Sequence, residues 1–255
     1  MTTTEAREAA EAPAGSPEEL TLAPRPVDRR ILRGLVAALA ALALVAAGFT
    51  VWQRLQPPPD FTLAQLQDAY SGMVRSDGTN DVSTIDPSRF PEPPLRISPV
   101  ECTPLFTSTV SNQFPPAALD GVSTYWLNAG PASISLFTVR YADAKAAAAA
   151  YAAVTDARTG CAGRTVRFSG AEGSGRVVET ATSPPPEAPE QVAFRLEREG
   201  GQSRYALHVL RLSNTVTWQY RYETGRGAYD PTPAQQLMNG MSAQLLSIQR
   251  AAADR

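Results

Sequence analysis

Polar and apolar positions fall into three regimes along the chain. Residues 1–30 hold almost no large apolar side chain beyond Leu20, Leu22 and Val27. Residues 34–52 then form one uncharged apolar run, Gly-Leu-Val-Ala-Ala-Leu-Ala-Ala-Leu-Ala-Leu-Val-Ala-Ala-Gly-Phe-Thr-Val-Trp. From about residue 60 onward short periodic stretches alternate with turn residues. The first regime cannot bury enough surface to offset its chain entropy, so 1–30 reads as a disordered cytoplasmic tail, with Thr2, Thr3, Thr4 and Ser16 as phosphorylation candidates. The second, taken as 31–53, is long enough to cross a bilayer core as a helix of roughly 20 residues. A spanning segment must satisfy its backbone internally, which a helix does.

Within the third regime, Leu63, Leu66, Ala69 or Tyr70, and Met73 recur at helical spacing behind Thr62, a suitable N-cap. Residues 75–104 turn to Asp, Ser, Thr, Asn and Pro and read as a long irregular stretch, pinned near its end by Cys102. Residues 121–127 and 133–139 are rich in β-branched and aromatic side chains and predict a hairpin turning at 128–131. Asp143 caps an alanine-rich helix to about Arg158, for which Gly160 is the expected left-handed stop. Short strands follow at 164–168 and 176–182. A meander then runs through 191–197, 204–212 and 215–222, turning at Gly200-Gly201 and Ser213-Asn214. A closing helix at 232–248 carries Leu237, Met241, Leu245 and Ile248 as its stripe. The order predicts an α+β domain over 61–250, a twisted, mostly antiparallel sheet with helices packed on it.

Charge orients the chain. Arg29, Arg30 and Arg33 precede the apolar run and Arg54 alone follows it closely, so the N-terminus is expected in the cytoplasm and the domain outside. A cleaved signal peptide would have a shorter leader and core. Three prolines at 57–59 make 54–60 a semi-rigid spacer. Formal charge is −2, with no basic stripe, so nucleic acid is excluded as an expected partner.

Cys102 and Cys161 are the chain's two cysteines. An even count on the oxidising side of a membrane favours a disulfide. A zinc pair lacks nearby histidines, and a redox pair lacks Cys-x-x-Cys spacing, so no metal or cofactor is expected.

Three stretches carry a resemblance. Thr62-Leu63 opening the first helix, Pro99-Val100-Glu101-Cys102, and the alanine helix leading into Gly160-Cys161-Ala162-Gly163-Arg164-Thr165-Val166 occur together. Over about 60–248 the chain resembles the extracellular sensor domain of PknH-type serine/threonine kinases and their kinase-less relatives. The resemblance implies a twisted antiparallel sheet flanked by helices, a ligand-binding cleft, and a disulfide from Cys102 to Cys161. Kinase members carry a second, later disulfide for which this chain has no cysteines. It also has no kinase domain before the apolar run, so sensing is expected to need a partner.

Catalytic patterns are missing. His208, the one histidine, lies in a strand without a local nucleophile or orienting acid and reads as a packed side chain. Gly170-Ala171-Glu172-Gly173-Ser174-Gly175 lacks the Gly-Lys-Ser/Thr ending of a phosphate loop and reads as a hairpin turn. Glu179, Glu187 and Glu190 give no reason to choose a hydrolytic pair. Trp126, Trp218, Tyr220 and Tyr222 are candidate ligand-binding aromatics, although a helix-covered core explains such a stripe as well. The expected function is a non-catalytic, single-pass, extracytoplasmic domain binding an envelope lipid, glycan or small molecule. The alternatives are an accessory subunit of an envelope transport or assembly complex and an envelope hydrolase.

Overall fold

A computed structural model describes residues 36–45, 48, 59–73, 82–87, 96–106, 114–127, 132–169, 173–198, 203–224 and 228–253. The chain divides into two units, Met1–Pro57 and Pro58–Arg255. In the first, residues 36–45 are helical, and Val36, Leu39, Leu42, Leu44 and Val45 are all exposed. Among the described residues no helix is long and apolar enough to cross a membrane. Apart from Gly48, the rest of the expected 31–53 span, the tail at 1–30 and most of the 54–60 spacer lie outside the described residues.

The second unit is α+β, built on one nine-stranded antiparallel sheet. Helix α1 (Leu63–Ser71) is opened by a reciprocal cap, in which the Gln65 N–H donates to Thr62 Oγ1 and the Thr62 N–H to Gln65 Oε1. Strands β1 (Val82–Ile85) and β2 (Ile97–Ser98) follow, then a 3-10 turn (Val100–Phe106). Next come β3 (Asp120–Leu127), β4 (Ala132–Arg140) and helix α2 (Ala144–Cys161). Strands β5 (Thr165–Phe168), β6 (Ser174–Thr180), β7 (Gln191–Arg198), β8 (Ser203–Leu212) and β9 (Thr215–Thr224) lead to helix α3 (Thr232–Ala253).

Two expectations are corrected. The stretch 75–104 is not wholly irregular, because β1 and β2 lie within it and form the two edges of the sheet. Each is short, and both stabilise through a long-range partner, β3 and β5 respectively, so local composition hides them. Gly160 does not stop α2. The helix runs on to Cys161, and the left-handed residue is Gly163 at φ 76°. The disulfide holds the last helical residue in place, which carries the helix past the glycine.

The sheet order is β1-β3-β4-β9-β8-β7-β6-β5-β2, so the last strand of the meander is inserted beside β4 at the centre. Helix α2 and the 3-10 turn pack on one face over Phe137, Phe194, Leu207, Val209, Val216 and Trp218. Helices α1 and α3 pack on the other, where Leu66, Tyr70, Val122, Leu136, Leu210, Met238 and Leu245 form a second core. Cys102 and Cys161 are bonded and fully buried, tying the 3-10 turn to α2. Closing a loop of this length contributes about 4 kcal/mol in the chain-entropy account.

Candidate functional site: a buried polar row on the sheet

Directly paired residues of antiparallel strands project their side chains to the same face. Reading across the face covered by α1 and α3 therefore gives successive rows. One row is Val122, Thr138, Thr217, Leu210 and Gln191, from β3 to β7. Its polar members are all paired. Tyr70 of α1 shares a 2.7 Å hydrogen bond with Thr138 Oγ1, which shares another of 2.7 Å with Thr217 Oγ1. Gln191 accepts from Gln235 Nε2 at 2.8 Å and donates to Asn239 Oδ1 at 3.3 Å, both on α3. The two helices thus complete this row.

The adjacent row is Thr124, Leu136, Gln219, His208, Ala193 and Thr180, from β3 to β6. It is equally buried, with Thr124 at 3%, Gln219 at 0%, His208 at 2% and Thr180 at 9% exposure. Yet Thr124 Oγ1, both Gln219 amide atoms, both His208 ring nitrogens and Thr180 Oγ1 have no hydrogen-bond partner in the protein. The row spans five strand-to-strand steps, about 24 Å at ~4.8 Å each. Leu136 and Ala193 punctuate it with apolar surface, and Gln219 faces His208 across the β9–β8 pairing.

Two residues further along the strands the chemistry becomes ionic. Ile134, Arg221, Ala206, Arg195 and Val178 form the next row, and Glu223, Arg204, Glu197 and Arg176 the one after. Arg204 Nε lies 3.0 Å and Arg221 Nε 2.7 Å from the two carboxylate oxygens of Glu223, and Arg195 Nε lies 2.7 Å from Glu197. Tyr229, between β9 and α3, has its ring centroid 5.8 Å from the Arg195 guanidinium and 5.5 Å from that of Arg204. Its hydroxyl is buried and unpaired, and burial, with Glu223 nearby, pushes the phenol up to about 12.

Burial also pushes the His208 imidazole down to about 4, so it is neutral at physiological pH. No carboxylate or nucleophile hydrogen-bonds to either ring nitrogen, so the geometry of an activated triad is not formed there. Among the described residues no group of three His, Cys, Asp or Glu side chains is placed to hold a metal ion. Glu179 pairs with Arg158 at 3.6 Å and Glu190 with Arg211.

The aromatic candidates separate. Trp218 and Tyr220 are buried in the core beneath α2, on the opposite face from the polar row. Tyr222 is half-buried and stacks on Tyr205 with centroids 4.9 Å apart. Trp126 stands opposite Ile134 in β3, and its side chain lies outside the described residues. Gln219, Thr124, Thr180 and Tyr229 were not singled out by sequence. The legible signal was the polar alternation Thr217, Gln219, Arg221, Glu223 within an otherwise core-forming strand.

The model of the PknH-like extracellular domain family matches residues 62–243. The crystal structure of the extracellular domain of PknH from Mycobacterium tuberculosis superposes with a TM-score of 0.49 at 15% identity, covering 78% of this chain and 100% of that one. An X-ray structure of an uncharacterised Mycobacterium smegmatis protein gives 0.41 at 15% identity, covering 73% and 98%. No curated protein matches this chain. The match over 62–243 takes in α1, α2, the start of α3, the full sheet and the cysteine pair, and the chain belongs to the PknH-like extracellular domain family.

Proposed function

We propose that this chain is a single-pass, membrane-anchored receptor of the bacterial envelope whose outer domain binds a ligand without transforming it. The observation that carries this reading is the contrast between two neighbouring rows of the sheet. One has every polar group paired, through Tyr70 of α1, Gln235 and Asn239 of α3 and the Thr138–Thr217 contact, and the next has six buried polar atoms without a hydrogen-bond partner. Leaving a buried donor or acceptor unmet costs about 1–3 kcal/mol, so a fold that keeps several in register keeps them for something outside the chain. Family membership supports an extracytoplasmic, sensor-like domain. The exposed apolar helix at 36–45 supports lipid as its surroundings.

The row's own chemistry supports binding without catalysis. A neutral histidine, an amide and two unactivated hydroxyls orient a ligand, but none is poised as a nucleophile or acid. A membrane protein partner would carry the signal inward. The test uses the full chain in lipid nanodiscs, mixed with a soluble envelope extract and followed by native mass spectrometry and thermal unfolding. A retained adduct and a raised unfolding temperature, both lost in Gln219→Leu, support the reading. An adduct-free mass with an unchanged transition contradicts it. External protease on intact cells should remove the outer domain, and protection of that domain would overturn the topology.

A further inference from the structure

We propose that the open margin of the sheet, at β2, β5 and β6, is a docking surface for an extended anionic polysaccharide. This goes beyond the receptor reading, because the surface is solvent-accessible and lies apart from the buried row. Helices α1 and α3 pack over β1, β3, β8 and β9. On the same face of β2, β5 and β6, Ser98, Thr165, Arg167 and Arg176 are exposed. Strand pairing sets the arginines there on a diagonal. Arg167 stands opposite Ser98, Arg176 opposite Thr165 and Glu197, and Arg195 lies two residues from Glu197. Arg96 precedes Ser98 by two residues. Its N–H donates to Ser169 Oγ and its carbonyl accepts from the Ser169 N–H, which carries the β2–β5 pairing one step further. Arg96, Arg167, Arg176 and Arg195 therefore share one face of four adjacent segments. Diagonal neighbours of an antiparallel pair lie about 7–8 Å apart, so the line is about 22 Å long.

Charge along this line is not balanced. Arg195 is 2.7 Å from Glu197, whereas Arg96, Arg167 and Arg176 are exposed and form no ion pair among the described residues. Each guanidinium offers a planar fork that suits a carboxylate or a phosphate. Three observations select the partner. The neighbours of these three arginines on the face are Ser98, Thr165, Ser169 and Ser174, small hydroxyl side chains with no large apolar group among them. A folded protein partner would need an apolar centre to its interface, and a solvated polyanion does not. The hydroxyls can also donate to and accept from those of a sugar. The line runs across the strands, whereas a peptide added at the β2 edge would run along them. It is also remote from the chain's entry into the domain. Phe61 is held by Asn214 in the β8–β9 turn, and Arg195 is level with Ala206, ~24 Å along β8 from Ser213. An anionic lipid surface next to that entry is therefore the poorer fit.

The experiment holds the full chain in phosphatidylcholine nanodiscs and titrates octagalacturonate and a phosphorylated mannan at 50 and 300 mM NaCl. Maltooctaose, octa-aspartate and phosphatidylglycerol vesicles are the competing chemistries. The result expected is saturable binding of at least one anionic glycan, at least tenfold weaker at the higher salt, as screening of exposed charges requires. The double variant Arg167→Ser with Arg176→Ser should weaken it at least tenfold, and Arg96→Ser severalfold. Arg176→Lys should retain most of it. Arg250→Ser removes an exposed charge from the far end of α3 and should leave it unchanged. Unfolding temperatures within about 1 °C of the parent will show that these exposed positions are not needed for the fold. Tighter binding of octa-aspartate or of the vesicles than of either anionic glycan overturns the assignment. So does an equal loss in Arg250→Ser, which would reduce the effect to net charge. Binding of no probe also overturns it, because the arginines then serve only to keep the β2 edge from pairing with another chain.

Discussion

Asn214 clasps Phe61 across 153 positions of sequence: its Oδ1 accepts from the Phe61 N–H at 2.7 Å, and its Nδ2 donates to the Phe61 carbonyl at 3.1 Å. The same Nδ2 donates to the Tyr141 carbonyl at 3.2 Å. Asn214 thus joins the point where the chain enters the outer domain to the β8–β9 turn and to the junction of β4 with α2. Replacing Asn214 with Ala strands three buried backbone groups. The expected cost is about 2–4 kcal/mol, read as a lower urea midpoint for the outer domain. A change within about 0.5 kcal/mol would show that the clasp adds nothing to the fold.

Adjacent rows of the sheet should respond with opposite sign to the loss of a polar group. Tyr70→Phe removes the hydroxyl that completes the Thr138–Thr217 pair and should cost about 1–2 kcal/mol in chemical denaturation. His208→Leu removes two unmet nitrogens from the next row and should be neutral or stabilising at neutral pH. Equal losses in the two variants would contradict the distinction between the rows.

Stability should fall in mild acid through His208. Its imidazole protonates near 6.5 in the unfolded chain and near 4 in the folded domain, where burial disfavours the cation. Between those values the unfolded chain binds the additional proton. The contribution is therefore complete above about pH 6.5, declines as pH drops toward 4 and levels below that, for a total of about 3 kcal/mol. The residues directly paired with His208, Gln219 and Ala193, are uncharged, and Arg221 and Arg195 stand one row away on the same face. Urea titrations from pH 7.5 to 4 should show this decline in the parent and a flatter profile in His208→Leu.

The disulfide should govern the α2 face. Cys102 and Cys161 are both fully buried, so alkylation of native material should label neither. The double replacement Cys102→Ala with Cys161→Ala should lower stability by about 4 kcal/mol. Labelling of both sulfurs without a reductant would contradict the bond.

Much of this architecture was legible in the residues because its elements are local. Thr62 and Asp143 cap the helices they announced, and 191–197, 204–212 and 215–222 pair as the expected meander. The edge strands β1 and β2 escaped because each depends on a distant partner. The site escaped for a related reason. Trp218 and Tyr220 stood out chemically, and the helix α2 that buries them lies elsewhere in sequence. Gln219 lies on the other face, which the sequence-distant helices α1 and α3 cover. Whether a polar stripe is wet or buried is decided by which helices pack over it, a long-range contact that no window of sequence contains.

The most direct measurement is the thermal unfolding of Gln219→Leu in the full chain. If the polar row is retained for a ligand and not for the fold, removing its most buried member raises the unfolding temperature by about 2–4 °C, the equivalent of roughly 1 kcal/mol in a domain of this size. The same variant loses the adduct and the ligand-induced rise in unfolding temperature. A fall of several degrees in the variant would instead show that the row holds the sheet together, and the receptor account would be wrong.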